Sequence, residues 1–180
     1  MEKMNYQREM EEEIARLEGR KPTLLLHACC GPCSSAVLER LLGAFAVTVF
    51  YFNPNIEPEA EYVKRLDTLK SLLTFSPAPL IEGEYAPARF REAARGYESA
   101  PEGGARCEKC FEMRLSETAR TAREQGFEYF TTTLSISPHK NAALLNAIGS
   151  RLAGEYDVRY LCADFKKKGG YQRSIELSRQ

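Results

Sequence analysis

Nothing in the 180 residues approaches the length of apolar run that spans a bilayer. Residues 1–20 are charged and helix-prone, which excludes a secretory signal and a transit peptide. Together these absences point to the cytoplasm and to no membrane partner. Net charge is also missing. The 25 Lys and Arg balance the 25 Asp and Glu, so bulk charge does not announce a polyanion, and nucleic acid would have to be met by a local basic patch. Internal repeats and low-complexity tracts are absent. The length suits one domain with a real core, residues 1–180, and is short for two.

What is present is cysteine. Six cysteines in a reducing compartment need a reason other than structural disulfides. Five fall in two tight groups, Cys29-Cys30-x-x-Cys33 and Cys107-x-x-Cys110. Cys162 stands alone and reads as a core cysteine at a strand end.

Periodicity places the groups. Residues 4–18 carry Tyr6, Met10, Ile14 and Leu17 at helical spacing among charged residues. Residues 23–28 form a continuous apolar run, as in a strand buried on both faces. A helix over 34–42 follows, then the clearest strand, 46–52, rich in β-branched and aromatic residues. Helices are expected over 58–73 and 86–95, around a weak strand at 79–81. After a loop at 96–105, a helix over 107–125 carries Cys107 and Cys110 in its first turn. Strand 129–134, loop 135–140, helix 141–153, strand 158–161 and helix 171–179 complete the chain. Alternating strands and helices predict a three-layer α/β domain, a mostly parallel, doubly wound (Rossmann-like) sheet of about five strands. Ligands in such sheets bind beyond the carboxyl ends of the strands. Cys29 to Cys33, Asn53 to Asn55, Ser135 to Lys140 and Asp164 to Gly170 all fall at such ends, so one rim is the expected active site.

A Cys-x-x-Cys turn aims two sulfurs at one centre, a spacing shared by zinc, iron–sulfur and redox sites. Five thiolates exceed the need of one tetrahedral ion. They suggest a cluster with a second metal, or a metal with cysteines left for redox work. A structural zinc site is the plain alternative. A thioredoxin-like dithiol would leave Cys107 and Cys110 unused. Neighbouring side chains diverge, so Cys29-Cys30 suits a bridge between two centres. At a helix start, the dipole and Arg106 would stabilise the Cys107 and Cys110 thiolates.

Five segments taken as a set resemble one family: His27-Ala28-Cys29-Cys30-Gly31-Pro32-Cys33-Ser34; Phe52-Asn53-Pro54-Asn55-Ile56-Glu57-Pro58 with Glu61, Tyr62 and Arg65; Arg106-Cys107-x-x-Cys110 with Arg114; Thr131 to Leu134 with Ser137, Pro138 and Lys140; and Asp164-Phe165-Lys166-Lys167-Lys168-Gly169-Gly170-Tyr171. They are similar to the cobalamin-independent epoxyqueuosine reductases. The resemblance implies deoxygenation of the epoxide of epoxyqueuosine in a tRNA anticodon stem-loop. It also implies a [4Fe–4S] cluster beside a mononuclear iron, the motif cysteines as ligands, and an electron donor the sequence does not identify. Members of that family usually continue into a tail with a Cys-x-Cys pair, whereas this chain stops at Gln180 inside its last expected helix.

Within that reading, Cys107 and Cys110 with Cys29, Cys30 or both are expected to hold the cluster. Cys33, with or without Cys30, would hold the single iron. Asp164, Lys140 and Tyr51 are candidate proton donors, and His139 reads as an exposed loop residue. Asp164 reads equally well as a cap before Phe165. His27 is expected to be hydrogen-bonded in the core, orienting the Cys29 loop. Asn53-Pro54-Asn55 is either a rigid turn with Asn55 as a cap or a pair of amides reading a base edge, alongside Ser137 and Arg106. Lys166, Lys167, Lys168 and Tyr171 are expected to meet phosphate. Arg114, Arg120 and Arg123 either extend that surface or form the wet face of their helix. An ATP-using tRNA thiolase is a competing reading, but its phosphate loop would need glycines where this chain has Cys29-Cys30-Gly31-Pro32-Cys33. A non-catalytic zinc-binding protein is the other.

Overall fold

The computed structural model describes residues 5–101 and 104–179. Met4, where the sequence begins the first helix, lies outside them, as do two loop positions, Glu102 and Gly103, and Gln180. Five parallel strands, β1 (Thr23–His27), β2 (Ala46–Tyr51), β3 (Leu80–Glu82), β4 (Tyr129–Thr132) and β5 (Arg159–Tyr160), lie in the order β3-β2-β1-β4-β5. The chain winds outward from β1 through β2 to β3. It then crosses back to β4 and continues to β5. The winding reverses between β1 and β4, the switch point where such sheets open a crevice.

The central strand explains the layering. Leu24, Leu25 and Leu26 are all fully buried, and successive side chains point to opposite faces. Leu24 and Leu26 pack with α1 (Tyr6–Arg16), α2 (Gly31–Leu41), α3 (Glu59–Phe75) and Leu177 of α7 (Gly170–Ser178). Leu25 packs on the other side with α5 (Ala105–Gln125) and α6 (Ala142–Tyr156). The short α4 (Pro87–Ala93) lies against α5 through Phe90 and Cys110. None of the described helices is long and apolar enough to cross a membrane.

Several boundaries differ from the sequence reading, each for a local reason. The first helix starts behind Asn5, whose side chain accepts from Arg8 N and so caps it. Helix α2 begins at Gly31 and not at Ser34. Pro32 sits in its first turn, where a missing N–H costs nothing. A Cβ at Gly31 would fall 2.8 Å from Thr68 Cγ2, so this glycine permits the close approach of α3. The strand expected over 129–134 stops at Thr132 and turns into a short 3₁₀ segment, Leu134–Ile136. Pro58 occupies the N-cap position of helix α3 without a side-chain cap, so Asn55 is not its cap.

The lysine loop between β5 and α7 is a tight double turn, with Lys167 N donating to Asp164 O and Gly170 N to Lys167 O. Arg40 of α2 donates to the carbonyls of Phe165, Lys167 and Lys168 and pins the loop from below. A Cβ at Gly170 would stand 1.7 Å from Phe165 O, which only a backbone shift relieves. Gly170→Ala is therefore expected to lose about 3 kcal/mol of stability, the upper end of overpacking costs. Urea denaturation of the two proteins measures it.

Candidate metal centre

Both cysteine groups sit on helix starts. Cys30 is the N-cap residue of α2, and Cys33 lies in its first turn. Cys107 is in the first turn of α5, and Cys110 follows three residues later on the same face. Exposed amides and the positive dipole end favour negative sulfur at both.

The sulfurs of Cys29, Cys30 and Cys33 lie within 4.8 Å of one another, with Cys30 and Cys33 3.1 Å apart. Three thiols this close titrate against each other. Hydrogen bonds from Cys30 and Cys33 hold the Cys29 thiol well below the usual range, with the Arg114 guanidinium and His27 pulling the same way. Cys29 in turn pushes Cys30 up to about 11 and, with Cys30, raises Cys33 further. The first thiolate is easily made, and the others need a cation in place of their protons. A metal supplies that cation.

Two adjoining cavities open beside these groups. One, of about 230 Å³, is lined by Cys29, Cys30 and Cys33 together with Arg65, Ser137 and others. The second, of about 210 Å³, is lined by Cys107, Cys110, Arg106 and Phe111 among others. Asn55, Arg114 and Lys140 line both. Two of these three carry buried polar atoms with no hydrogen-bond partner, Asn55 Oδ1 and Arg114 Nε. Orphaned groups at a thiol-lined cavity are the mark of a site shaped around something more than protein. The soft donor set suits iron–sulfur or zinc.

A buried network fixes the Cys29 loop. His27, fully buried, accepts at Nδ1 from Thr132 Oγ1 at 2.9 Å, and its Nε2–H donates to Phe52 O at 3.0 Å. Burial above all, then Arg114, lowers its pKa to about 4, so the ring is neutral at pH 7. Asn53 donates from Nδ2 to Ala28 O at 2.9 Å, and its Oδ1 accepts from Arg114 Nη1 at 3.2 Å beside His27 Nε2. Asn53 is thus committed to scaffolding the residue before Cys29. Of the two amides, only Asn55 faces the cavities.

The other expected residues divide. Lys140 reaches both cysteine cavities and Ser137 only the first, where Ser137 Oγ also accepts from His139 N. Arg106 stacks over the Phe90 ring at the second cavity. Tyr51 is fully buried and its hydroxyl donates to Tyr62 O at 2.9 Å, which gives it a packing role, and burial raises its pKa. Asp164 caps no helix. It opens with Lys140, Lys166, Lys167 and Lys168 onto a neighbouring cavity of about 620 Å³. There its Oδ1 lies 2.8 Å from Lys166 Nζ, an ion pair without hydrogen-bond alignment. Lys168 pairs with Glu11. Tyr171 is 43% exposed at the start of α7. Cys162 is half-buried beside Ser150 and not a core residue.

Arg114 is the residue the sequence reading misplaced. It is 4% exposed and belongs to the site. Arg120 and Arg123 are the wet face, paired with Glu117, Glu124 and Asp157. The signal was the spacing: Arg114 lies four residues after Cys110, and so on its face of α5.

Residues 24–180 match the family described as "Epoxyqueuosine reductase QueH". The chain is 40% identical to epoxyqueuosine reductase QueH of Staphylococcus epidermidis, over 98% of this chain and 78% of that protein. It is 39% identical to QueH of Streptococcus pyogenes, over 98% and 72%. QueH of Thermotoga maritima is 34% identical over 88% and 82%. Among solved structures, a predicted subunit of a tRNA methyltransferase from Methanocaldococcus jannaschii shares the fold, with a TM-score of 0.55 at 10% identity over 85% of this chain and 76% of that one.

Proposed function

This chain belongs to the epoxyqueuosine reductase QueH family, and we propose that it carries out that reaction with the two cysteine groups described above, as one domain spanning the whole chain. It is an epoxyqueuosine reductase, an oxidoreductase of tRNA modification. Deoxygenation takes two electrons and two protons, breaks both C–O bonds of the epoxide, and leaves an alkene and water. The observation that supports a metal route is the pair of thiol-lined cavities sharing Asn55, Arg114 and Lys140. Cys107 and Cys110, with Cys29, Cys30 or both, would hold a [4Fe–4S] cluster. Cys33, with or without Cys30, would hold a mononuclear iron. Such a pair, when bound, supplies single electrons and a Lewis acid for oxygen.

The chain's own residues do the rest. Asn55 offers its free Oδ1 to a donor on the modified base, and Ser137 lines the same cavity. Lys140 lines both cysteine cavities and the lysine-rich one, which supports its ammonium as the proton donor to the departing oxygen. Asp164 faces the lysines and receives or returns protons by way of Lys140 and water. Arg106, Lys166, Lys167, Lys168 and Tyr171 meet the anticodon stem-loop around the modified base. An electron donor of unidentified kind completes the turnover.

Anaerobic purification tests the metal reading. A brown protein with sulfide and roughly four or more irons per chain, as one cluster plus an extra iron requires, supports it. A colourless protein with one zinc would remove the electron source and overturn it.

A further inference from the structure

Arg114 is a cation in the interior that no carboxylate answers among the described residues, with the Cys29 sulfur beside it. It is 4% exposed, and among the described residues its side chain's one hydrogen bond is to a neutral amide, Asn53 Oδ1, at 3.2 Å. Among the described residues no carboxylate pairs with it, although most other arginines of the chain hold one or two. Its Nε, also buried, has no acceptor. Neither cysteine cavity has an Asp or Glu among its lining residues, whereas Arg65, Arg106 and Lys140 add to the positive charge. Those three are not buried, and Arg65 pairs with Glu61. Arg114 has no such recourse, and a guanidinium does not shed its proton. Leaving a buried charge unanswered costs several kcal/mol.

We propose that Arg114 is the resident countercharge of the metal–thiolate assembly, a positioning residue and not a ligand. The inference rests on the reading of the five cysteines as metal ligands. Arg114 lines the cavities of both cysteine groups, and its buried Nε–H has no protein acceptor. Two consequences follow. A buried cation makes it easier to gather several thiolates in one place, so metal loads more tightly. It also opposes the negative charge added on reduction, so a bound cluster accepts electrons more readily; net charge and hydrogen bonds to sulfur set such potentials.

The experiment compares the full-length parent, Arg114→Gln and Arg114→Lys, all prepared metal-free without oxygen. Cobalt(II) is the probe, because thiolate coordination gives it an intense charge-transfer absorption. R114Q is expected to bind Co²⁺ about tenfold or more weakly, in the range that outer-sphere partners of metal ligands command. R114K keeps the charge and should stay within about threefold of the parent, well under the tenfold that 1.4 kcal/mol represents. Reconstituted with iron and sulfide, R114Q should show a reduction potential more negative than the parent's, a shift that a purely structural role does not produce. Circular dichroism checks folding, and R114Q should be no less stable than the parent while metal-free. Equal Co²⁺ affinity and equal potential in R114Q and the parent would overturn the proposal. So would a tenfold loss in R114K, which decides the matter alone where R114Q does not fold. A parent that binds no Co²⁺ instead rejects the metal reading beneath it.

Discussion

Cys107→Ser is expected to lose bound iron and sulfide and to lower epoxyqueuosine reduction by at least about 100-fold, beyond what outer-sphere changes cost. The protein should still fold. Cys107 lies half-buried in the first turn of α5. The helix is anchored elsewhere, by Phe111, Leu115, Ala119 and Ala122 packed in the core on the β1–β4 side. Serine is nearly the same size, so the packing change is small, while the hard hydroxyl replaces a soft thiolate. Two comparisons give the result its meaning. Cys162→Ser should keep iron and activity, because Cys162 lines a different cavity, with Glu9, Arg159 and Tyr160. Cys33→Ser should remove the extra iron and spare most of the cluster, if Cys33 serves the single iron. Metal and sulfide analysis, with the visible spectrum, reads all three. Iron content in C107S equal to the parent's would reject the assignment of Cys107 to the cluster.

Most of the fold was legible because the strongest local signals agreed with the tertiary ones. The apolar run at β1, the β-branched strand β2 and the amphipathic periodicity of α3 and α5 each read as what they became. The convergence of motifs at the carboxyl ends of the strands also followed from topology alone. What sequence could not supply was partnership. Asn53 and Asn55 look alike on paper, yet one is tied to Ala28, His27 and Arg114 while the other faces the cavities with an open acceptor. Arg114 looked like Arg120 and Arg123 because helix arginines are mostly wet. Its burial depends on β1 and the 52–53 turn arriving beside α5, which no local window contains. The mutual approach of Cys29, Cys30 and Cys33 was implied by spacing. That their cavity adjoins the one at Cys107 and Cys110 depends on how α5 packs against β1 and β4.

Replacing Lys166, Lys167 and Lys168 together by glutamine is expected to weaken tRNA binding by about ten- to a hundredfold near physiological salt, and to lower the salt slope by about two. The count is two and not three because the lysines are not equivalent. Lys166 is held at Asp164 and Lys168 at Glu11, so phosphate must compete with a carboxylate for each. Lys167 is exposed and no acidic partner is seen for it among the described residues, so K167Q alone should reduce the slope by about one. Removing Lys166 or Lys168 has a second effect, since it leaves Asp164 or Glu11 uncompensated at the mouth of the cavity. Each single substitution should therefore weaken binding more than its share of the slope suggests. The loop itself should persist in all of them, because Arg40 holds it through backbone carbonyls and not through lysine side chains. Under saturating tRNA, kcat should change little while KM rises, as expected where binding that is the same in ground and transition states is lost. Filter binding across a salt series measures the slope. A triple variant with the parent's slope would place the anticodon stem-loop elsewhere on the protein.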